Sequence, residues 1–306
     1  MNKLIALCTA SLLLLSGNAN AAHHHHRHHH RSHIVKASFR DPHGFHSPAY
    51  PRLASYAAVI YDEKNGEELY AKHTDAVVPI ASITKLMTAM VTLDAKLPMN
   101  EVLRIDKEDV DTLRHSASRL PVGTKLMRGE MLRLALMSSE NRAAAALGHN
   151  YPGGLAAFVR KMNEKAKELG MEHTHFVDSS GLHSENVSTA VDLVKMVEAA
   201  YRYKQIREDT TTSTHEVVLP RSDRVLQYNN SNSLVKYKAR NDWHIGLSKT
   251  GYINEAGHCL VMHSTIAAKP VVIVLLDSWG SRTRVGDANR IRKWLKSRAH
   301  YRKNFS

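Results

Sequence analysis

Strand-like segments lie at both ends of this chain and helical segments fill the middle, an order that few folds satisfy. Near the start, Tyr56-Ala57-Ala58-Val59-Ile60-Tyr61 reads as a strand, Asn65-Gly66 as a tight turn, and 67–71 as the returning strand. Toward the end, 245–252, 259–266 and 271–276 read as three more strands, the last two separated by a Lys269-Pro270 turn. Between these blocks Pro79 precedes Ile83, Met87, Met90 and Val91 at helical spacing. Segments 130–137, 142–147 and 189–201 are further helices, as is the stripe Leu155, Phe158, Val159, Met162, Leu169, which Gly170 closes. A last helix is expected over 288–296, capped by Asp287, with Ile291, Trp294 and Leu295 facing inward. The pattern predicts an α+β fold: one antiparallel sheet built from N- and C-terminal strands, flanked by helices, with an inserted helical part. No internal repeat is present, and no linker divides the chain after residue 52.

The first residues bear on compartment. Met1-Asn2-Lys3 is a basic start, 4–15 an apolar run, and Ala19-Asn20-Ala21 a small-residue cleavage site, the layout of a signal peptide over 1–21. Twelve apolar residues fall short of the roughly 20 needed to span a bilayer. Export is therefore expected, with cleavage near Ala21. Cys8 leaves with that segment, so Cys259, in the apolar run 259–262, is the one remaining thiol and reads as a buried structural residue.

Charge follows the same division. The whole chain has 42 Lys+Arg against 29 Asp+Glu, a formal +13. In an exported protein such a balance points to cell-wall carboxylates or anionic lipids in place of nucleic acid, or simply to a generally cationic, soluble surface. Ten of the 21 histidines lie between His23 and His46, so 22–52 reads as a His-rich flexible tail ahead of a domain over 53–306. His23, His24, His25, His26, His28, His29 and His30, with His33, are suited to weak multivalent capture of Zn, Cu or Ni, but a flexible tail lacks the fixed surroundings of an ordered metal site. Basic residues Arg290, Arg292, Lys293, Lys296, Arg298, Arg302 and Lys303 follow Asp287 with no further acid. A terminal helix packed on the sheet with a solvated basic face accounts for them, with at most peripheral membrane contact.

Three motifs carry the chemistry. In Ser82-Ile83-Thr84-Lys85 a hydroxyl and an amine three residues apart share a helix face, the arrangement of a serine nucleophile activated by a neutral lysine. A free lysine has a pKa near 10.4, so burial and a second cation are needed to lower it. Ser139-Glu140-Asn141 falls between two helical patterns, where Ser139 can relay a proton and Asn141 can hold both the lysine and a substrate amide. Lys249-Thr250-Gly251 lies in a strand and offers a cation, a hydroxyl for a carboxylate, and a position without side-chain bulk beside the strand edge. Each motif alone is weak. Their order, with 57 residues from Ser82 to Ser139 and 110 from Ser139 to Lys249, is specific.

On these motifs, and on the stretches 79–90, 136–145, Gly181-Leu182, 186–190 and 256–262, the chain resembles the low-molecular-mass penicillin-binding D-Ala-D-Ala peptidases, the serine DD-peptidases of family S11. The resemblance covers roughly 55–296 and implies a β-lactamase/transpeptidase-like fold and a periplasmic location. It further implies that Ser82 forms an acyl-enzyme and Lys85 is the general base. Ser139 and Asn141 would assist, Lys249 and Thr250 would bind substrate, and the backbone N–H groups of Ser82 and Tyr252 would form the oxyanion hole. Peptidoglycan stem peptides are the implied substrates and β-lactams the implied covalent inhibitors, with no cofactor required. No E-x-x-L-N stretch lies between Asn141 and Lys249, which argues against a class A β-lactamase. Carboxypeptidases of the family usually carry glycine where this chain has Glu140, and many continue through a second domain, whereas this chain ends 55 residues after Gly251. The endopeptidase branch is expected on both grounds, with carboxypeptidase activity as the alternative.

Overall fold

In the computed structural model, residues 50–219 and 224–305 are described. The expected signal peptide and nearly all of the His-rich tail lie outside them. The chain opens with the hairpin β1 (Ala57–Asp62) and β2 (Glu67–Lys72), turned through Gly66 at φ +67°. A short β3 (Val78–Pro79) leads to a 3-10 turn, Ala81–Thr84, that continues into α1 (Lys85–Asp94). β4 (Val102–Arg104) and β5 (Lys125–Met127) pair antiparallel and feed α2 (Arg128–Met137), α3 (Asn141–His149) and α4 (Gly154–Glu168). β6 (Val187–Ser188) returns to pair with β3, and α5 (Ala190–Tyr201) starts at Thr189, whose hydroxyl accepts from Asp192 N–H at 3.1 Å. α6 (Lys204–Thr211) leads to an outlying hairpin, β7 (Thr214–Leu219) and β8 (Arg224–Asn229), and α7 (Ser233–Lys236) precedes three long strands. These are β9 (His244–Ile253), β10 (Gly257–Ile266) and β11 (Lys269–Ser278), followed by α8 (Ser281–Phe305).

The main sheet runs β2-β1-β11-β10-β9, every neighbour antiparallel, so the first strand pairs with the last as the α+β pattern predicts. Both faces are covered, which is why its strands read as continuous apolar runs and not as alternating ones. Val59, Val261, Val272 and Val274 face the helical core, while Ile60, Leu260, Met262, Ile273 and Leu275 face Ala288, Ile291, Trp294 and Leu295 of α8. β9 is an edge strand, and its open side is where the functional groups gather.

Two local expectations are corrected. The β10–β11 turn is made by Ala267 and Ala268, both with positive φ (50° and 61°), while Lys269 and Pro270 belong to β11 with Pro270 opposite Thr265. Proline is tolerated there because a position at the strand start need not donate to the ladder. Asp287 is not a helix cap. It lies inside α8, fully buried, and accepts from the N–H groups of Ala54 (3.1 Å) and Ser55 (2.8 Å) and from the Ser55 hydroxyl (2.6 Å), tying the start of the domain to its last helix. Among the described residues no helix is long and apolar enough to cross a membrane.

Candidate active site

Ser82 stands on the 3-10 turn and Lys85 is the first residue of α1, so the helix expected from Pro79 onward is split in two. In a 3-10 turn residues three apart eclipse one another, which places Ser82 Oγ 2.8 Å from Lys85 Nζ. Entry to the turn is strained, with Ala81 at φ +48°. Two glycines permit that path. A Cβ on Gly181 would lie 2.1 Å from Ala81 O, and one on Gly251 would lie 2.8 Å from Ile80 O and 3.2 Å from Ser82 N. Gly251 is thus required by the packing of β9 against the serine turn itself.

Lys85 is fully buried, and its Nζ also lies 2.8 Å from Asn141 Oδ1 and 2.5 Å from Ser180 O. Burial lowers its pKa to about 7, against the opposing charges of Asp178 and Glu140. The expected contribution of burial is present. The cationic effect between the two site lysines is resolved on Lys249, which burial, then Lys85, then Arg284 push well below the ordinary lysine value. Charged, Lys85 Nζ donates to Asn141 Oδ1, Ser180 O and Ser82 Oγ; neutral, it has two N–H groups for the first two and a lone pair that can accept from the Ser82 hydroxyl.

The second motif crosses a tight bend, with Ser139 at φ +63°. Its hydroxyl meets Lys249 Nζ at 2.9 Å. Asn141 opens α3, with Oδ1 on Lys85 and Nδ2 donating to Ser116 Oγ at 2.9 Å, so both ends of its amide are held. On β9, Lys249 is buried and also donates to Thr250 O (2.9 Å), while Thr250 Oγ1 donates to Ser231 Oγ (2.7 Å). Tyr252 is exposed and donates its hydroxyl to Asn254 Oδ1 at 3.0 Å. Residues far apart in the chain, Ser82, Lys85, Ser139, Asn141, Lys249, Thr250 and Gly251, therefore meet along one cleft beside the edge strand.

Four contributors escape a motif reading. Ser116 anchors Asn141, and Ser180 supplies a carbonyl to Lys85. Arg284 reaches from α8 to donate to the carbonyls of Gly251 and Cys259, each at 2.9 Å. Asp178 accepts from the N–H groups of Ser180 (2.5 Å), Gly181 (2.6 Å) and His183 (2.9 Å), the Ser180 hydroxyl (2.9 Å) and Asn186 Nδ2 (2.7 Å). Burial raises its pKa, but these donors outweigh burial and hold it below the ordinary carboxylate value. The Asp-Ser-Ser-Gly run at 178–181 is turn-forming chemistry and was the available signal. Cys259 is buried as expected, and burial pushes its thiol up to about 11.

The arrangement fits a serine acyl-transfer site: a serine hydroxyl 2.8 Å from a buried amine, with a second buried lysine on the adjacent strand. The chain matches the D-alanyl-D-alanine carboxypeptidase (peptidase S11) family over residues 44–280 and belongs to that family. It is a serine hydrolase. It is 48% identical over 250 residues to a D-alanyl-D-alanine endopeptidase of Pseudomonas aeruginosa, covering 82% of this chain and 80% of that protein. It is 46% identical over 247 residues to a D-alanyl-D-alanine endopeptidase of Escherichia coli, covering 81% and 79%. The fold matches penicillin-binding protein D2 from Listeria monocytogenes in its ampicillin-bound form, with a TM-score of 0.69, 28% identity, and 81% and 99% of the two chains covered.

Proposed function

We propose that the protein is a penicillin-binding DD-endopeptidase that hydrolyses D-Ala to diamino-acid cross-links between peptidoglycan stem peptides. The observation that carries this reading is the surroundings of Lys85, fully buried, lowered to about pKa 7 by that burial, and 2.8 Å from Ser82 Oγ. Neutral Lys85 takes the Ser82 proton as Oγ attacks the scissile carbonyl, and the developing oxyanion accepts from the N–H groups of Ser82 and Tyr252. Ser139, hydrogen-bonded to Lys249, relays to the departing amine the proton that Lys85 accepted, which returns Lys85 to its neutral form, and Asn141 holds the substrate amide together with Lys85. The substrate carboxylate sits at Lys249 and Thr250, with Arg284 adding positive potential beneath that stretch of β9. Water then releases the acyl group from Ser82 with Lys85 again as base. No metal or other cofactor enters these steps.

The endopeptidase branch is supported by the names of both bacterial relatives. Acylation by β-lactams is supported by the ampicillin-bound Listeria protein of the same fold. Export to the periplasm with cleavage near Ala21, and zinc, copper or nickel capture by His23 to His30, remain proposals from the N-terminal sequence. Mass spectrometry of penicillin-treated protein should find one acyl adduct on Ser82 and none in Ser82→Ala; labelling of the mutant would sink the assignment. Cleavage of cross-linked dimeric muropeptides is expected. Release of D-Ala from monomeric pentapeptides without dimer cleavage would move the assignment to carboxypeptidase.

A further inference from the structure

The end of the sheet nearest the cleft presents aromatic surface that the catalytic groups do not use. Trp279, between β11 and α8, is 84% exposed, and Tyr252, directly after the Lys249-Thr250-Gly251 motif, is 54% exposed. Isolated exposed apolar residues are ordinary, but two exposed rings at one end of the sheet offer flat apolar surface to a ligand. Register places the two at the same end of the sheet. Tyr252 pairs with His258 on β10, and His258 pairs with Ser278 on β11, so positions 252, 258 and 278 form one row across three strands. At one strand spacing per step, Tyr252 and Ser278 are about 10 Å apart, with Trp279 next along the chain. The Tyr252 ring is held flat on the His258 imidazole, with centroids 4.2 Å apart and planes 19° from parallel.

The direction of the cleft decides what can reach this row. Under the function proposed above, on which this inference rests, the substrate carboxylate lies at Lys249 and Thr250 and the scissile carbonyl at the N–H groups of Ser82 and Tyr252. The acyl-side stem peptide therefore continues past Tyr252 toward the turn between Ile253 and Gly257, at the end of the sheet where Trp279 projects. An extended stem covers about 3.3 Å per residue, so a few residues carry its sugar-bearing end to this end of the sheet. The slightly positive C–H groups on the flat face of a pyranose complement the negative face of an aromatic ring.

We propose that Trp279, with Tyr252 braced by His258, forms a subsite for the N-acetylated amino sugars of the glycan strand to which the acyl-side stem is attached. The subsite selects stems still joined to glycan over free peptides, and it takes no part in bond breaking.

The test titrates peptide-free oligomers of alternating N-acetylglucosamine and N-acetylmuramic acid into the full chain by calorimetry. Trp279→Ala should weaken their binding about tenfold, the equivalent of about 1.4 kcal/mol, while Trp279→Phe retains most of it. Trp279→Ala should leave the melting temperature, penicillin acylation and cleavage of a peptide-only dimer unchanged, and should lower kcat/KM only for dimers carrying glycan. Oligomers that fail to bind the wild type, or that bind Trp279→Ala equally well, would overturn the subsite. Failure of penicillin to acylate Ser82 would instead remove the functional reading, and calorimetry reports on the sugar site separately.

Discussion

Two lysines are buried in one cleft, and the groups around them set them apart. Lys85 is ringed by neutral acceptors, Asn141 Oδ1 and Ser180 O, with the charges of Asp178 and Glu140 near enough to oppose its loss of a proton. Lys249 has a hydroxyl and its neighbour's carbonyl as partners, and the charges it feels are the cations Lys85 and Arg284. The first environment suits a base that must cycle between protonation states near neutral pH. The second suits a group whose protonation an incoming anion, such as a carboxylate, can set. Under the proposed function, that carboxylate would favour protonated Lys249, and the nearby positive charge would in turn favour neutral Lys85, so substrate binding would ready the base.

The contrast is broken most directly by deleting each amine in turn. Lys85→Ala should slow penicillin acylation by about 10³-fold, the range of a lost general base, and should do so for substrates with or without a carboxylate. Lys249→Ala should cost about 10²-fold, the range of one lost electrostatic contact, and the loss should shrink for a neutral ester substrate. Stopped-flow acylation measures both. Equal losses on all substrates would show that the two lysines do not divide the work in this way.

A smaller effect sharpens the same point. The base must be neutral to accept the serine proton, so with Lys85 at about 7 the acylation rate should rise with pH, by about tenfold between pH 6 and pH 8. The residual rate of Lys85→Ala should lack this step. A wild-type profile that rises only toward pH 10 would place Lys85 at an ordinary lysine value and defeat the argument from burial.

How much of this was legible beforehand depends on what each residue bonds to. The five-stranded sheet was readable because a sheet covered on both faces leaves continuous apolar runs, and the three motifs were readable as hydroxyl, amine and amide groups in a fixed order. The Asp178 loop was not, because its partners are backbone amides and its product, Ser180 O on Lys85, joins positions 95 residues apart. The β7–β8 hairpin was also missed. Val217, Leu219, Leu226 and Tyr228 are buried, but Val218 and Val225 on the outer face are apolar too, which erases the alternation that announces a half-buried strand. α6 offers only Ile206 as a buried aliphatic beside Asp209 and Thr210, too little for a helical stripe.

Asp178 provides the last and smallest test, because it acts on the Lys85 side of the comparison in two separable ways. Its carboxylate shapes the loop that delivers Ser180 O, and its charge raises the pKa of Lys85. Asp178→Asn keeps one acceptor oxygen for Ser180 and Gly181 but turns an NH₂ toward the donors of His183 and Asn186, which should cost about 1–3 kcal/mol of stability by thermal melting. Removing the charge also removes the upward pull on Lys85, so the midpoint of the acylation profile should move to lower pH while the plateau rate changes little. A lowered melting temperature with an unmoved midpoint would confine Asp178 to shaping the loop. Burial and the neutral acceptors alone would then set the proton affinity of Lys85.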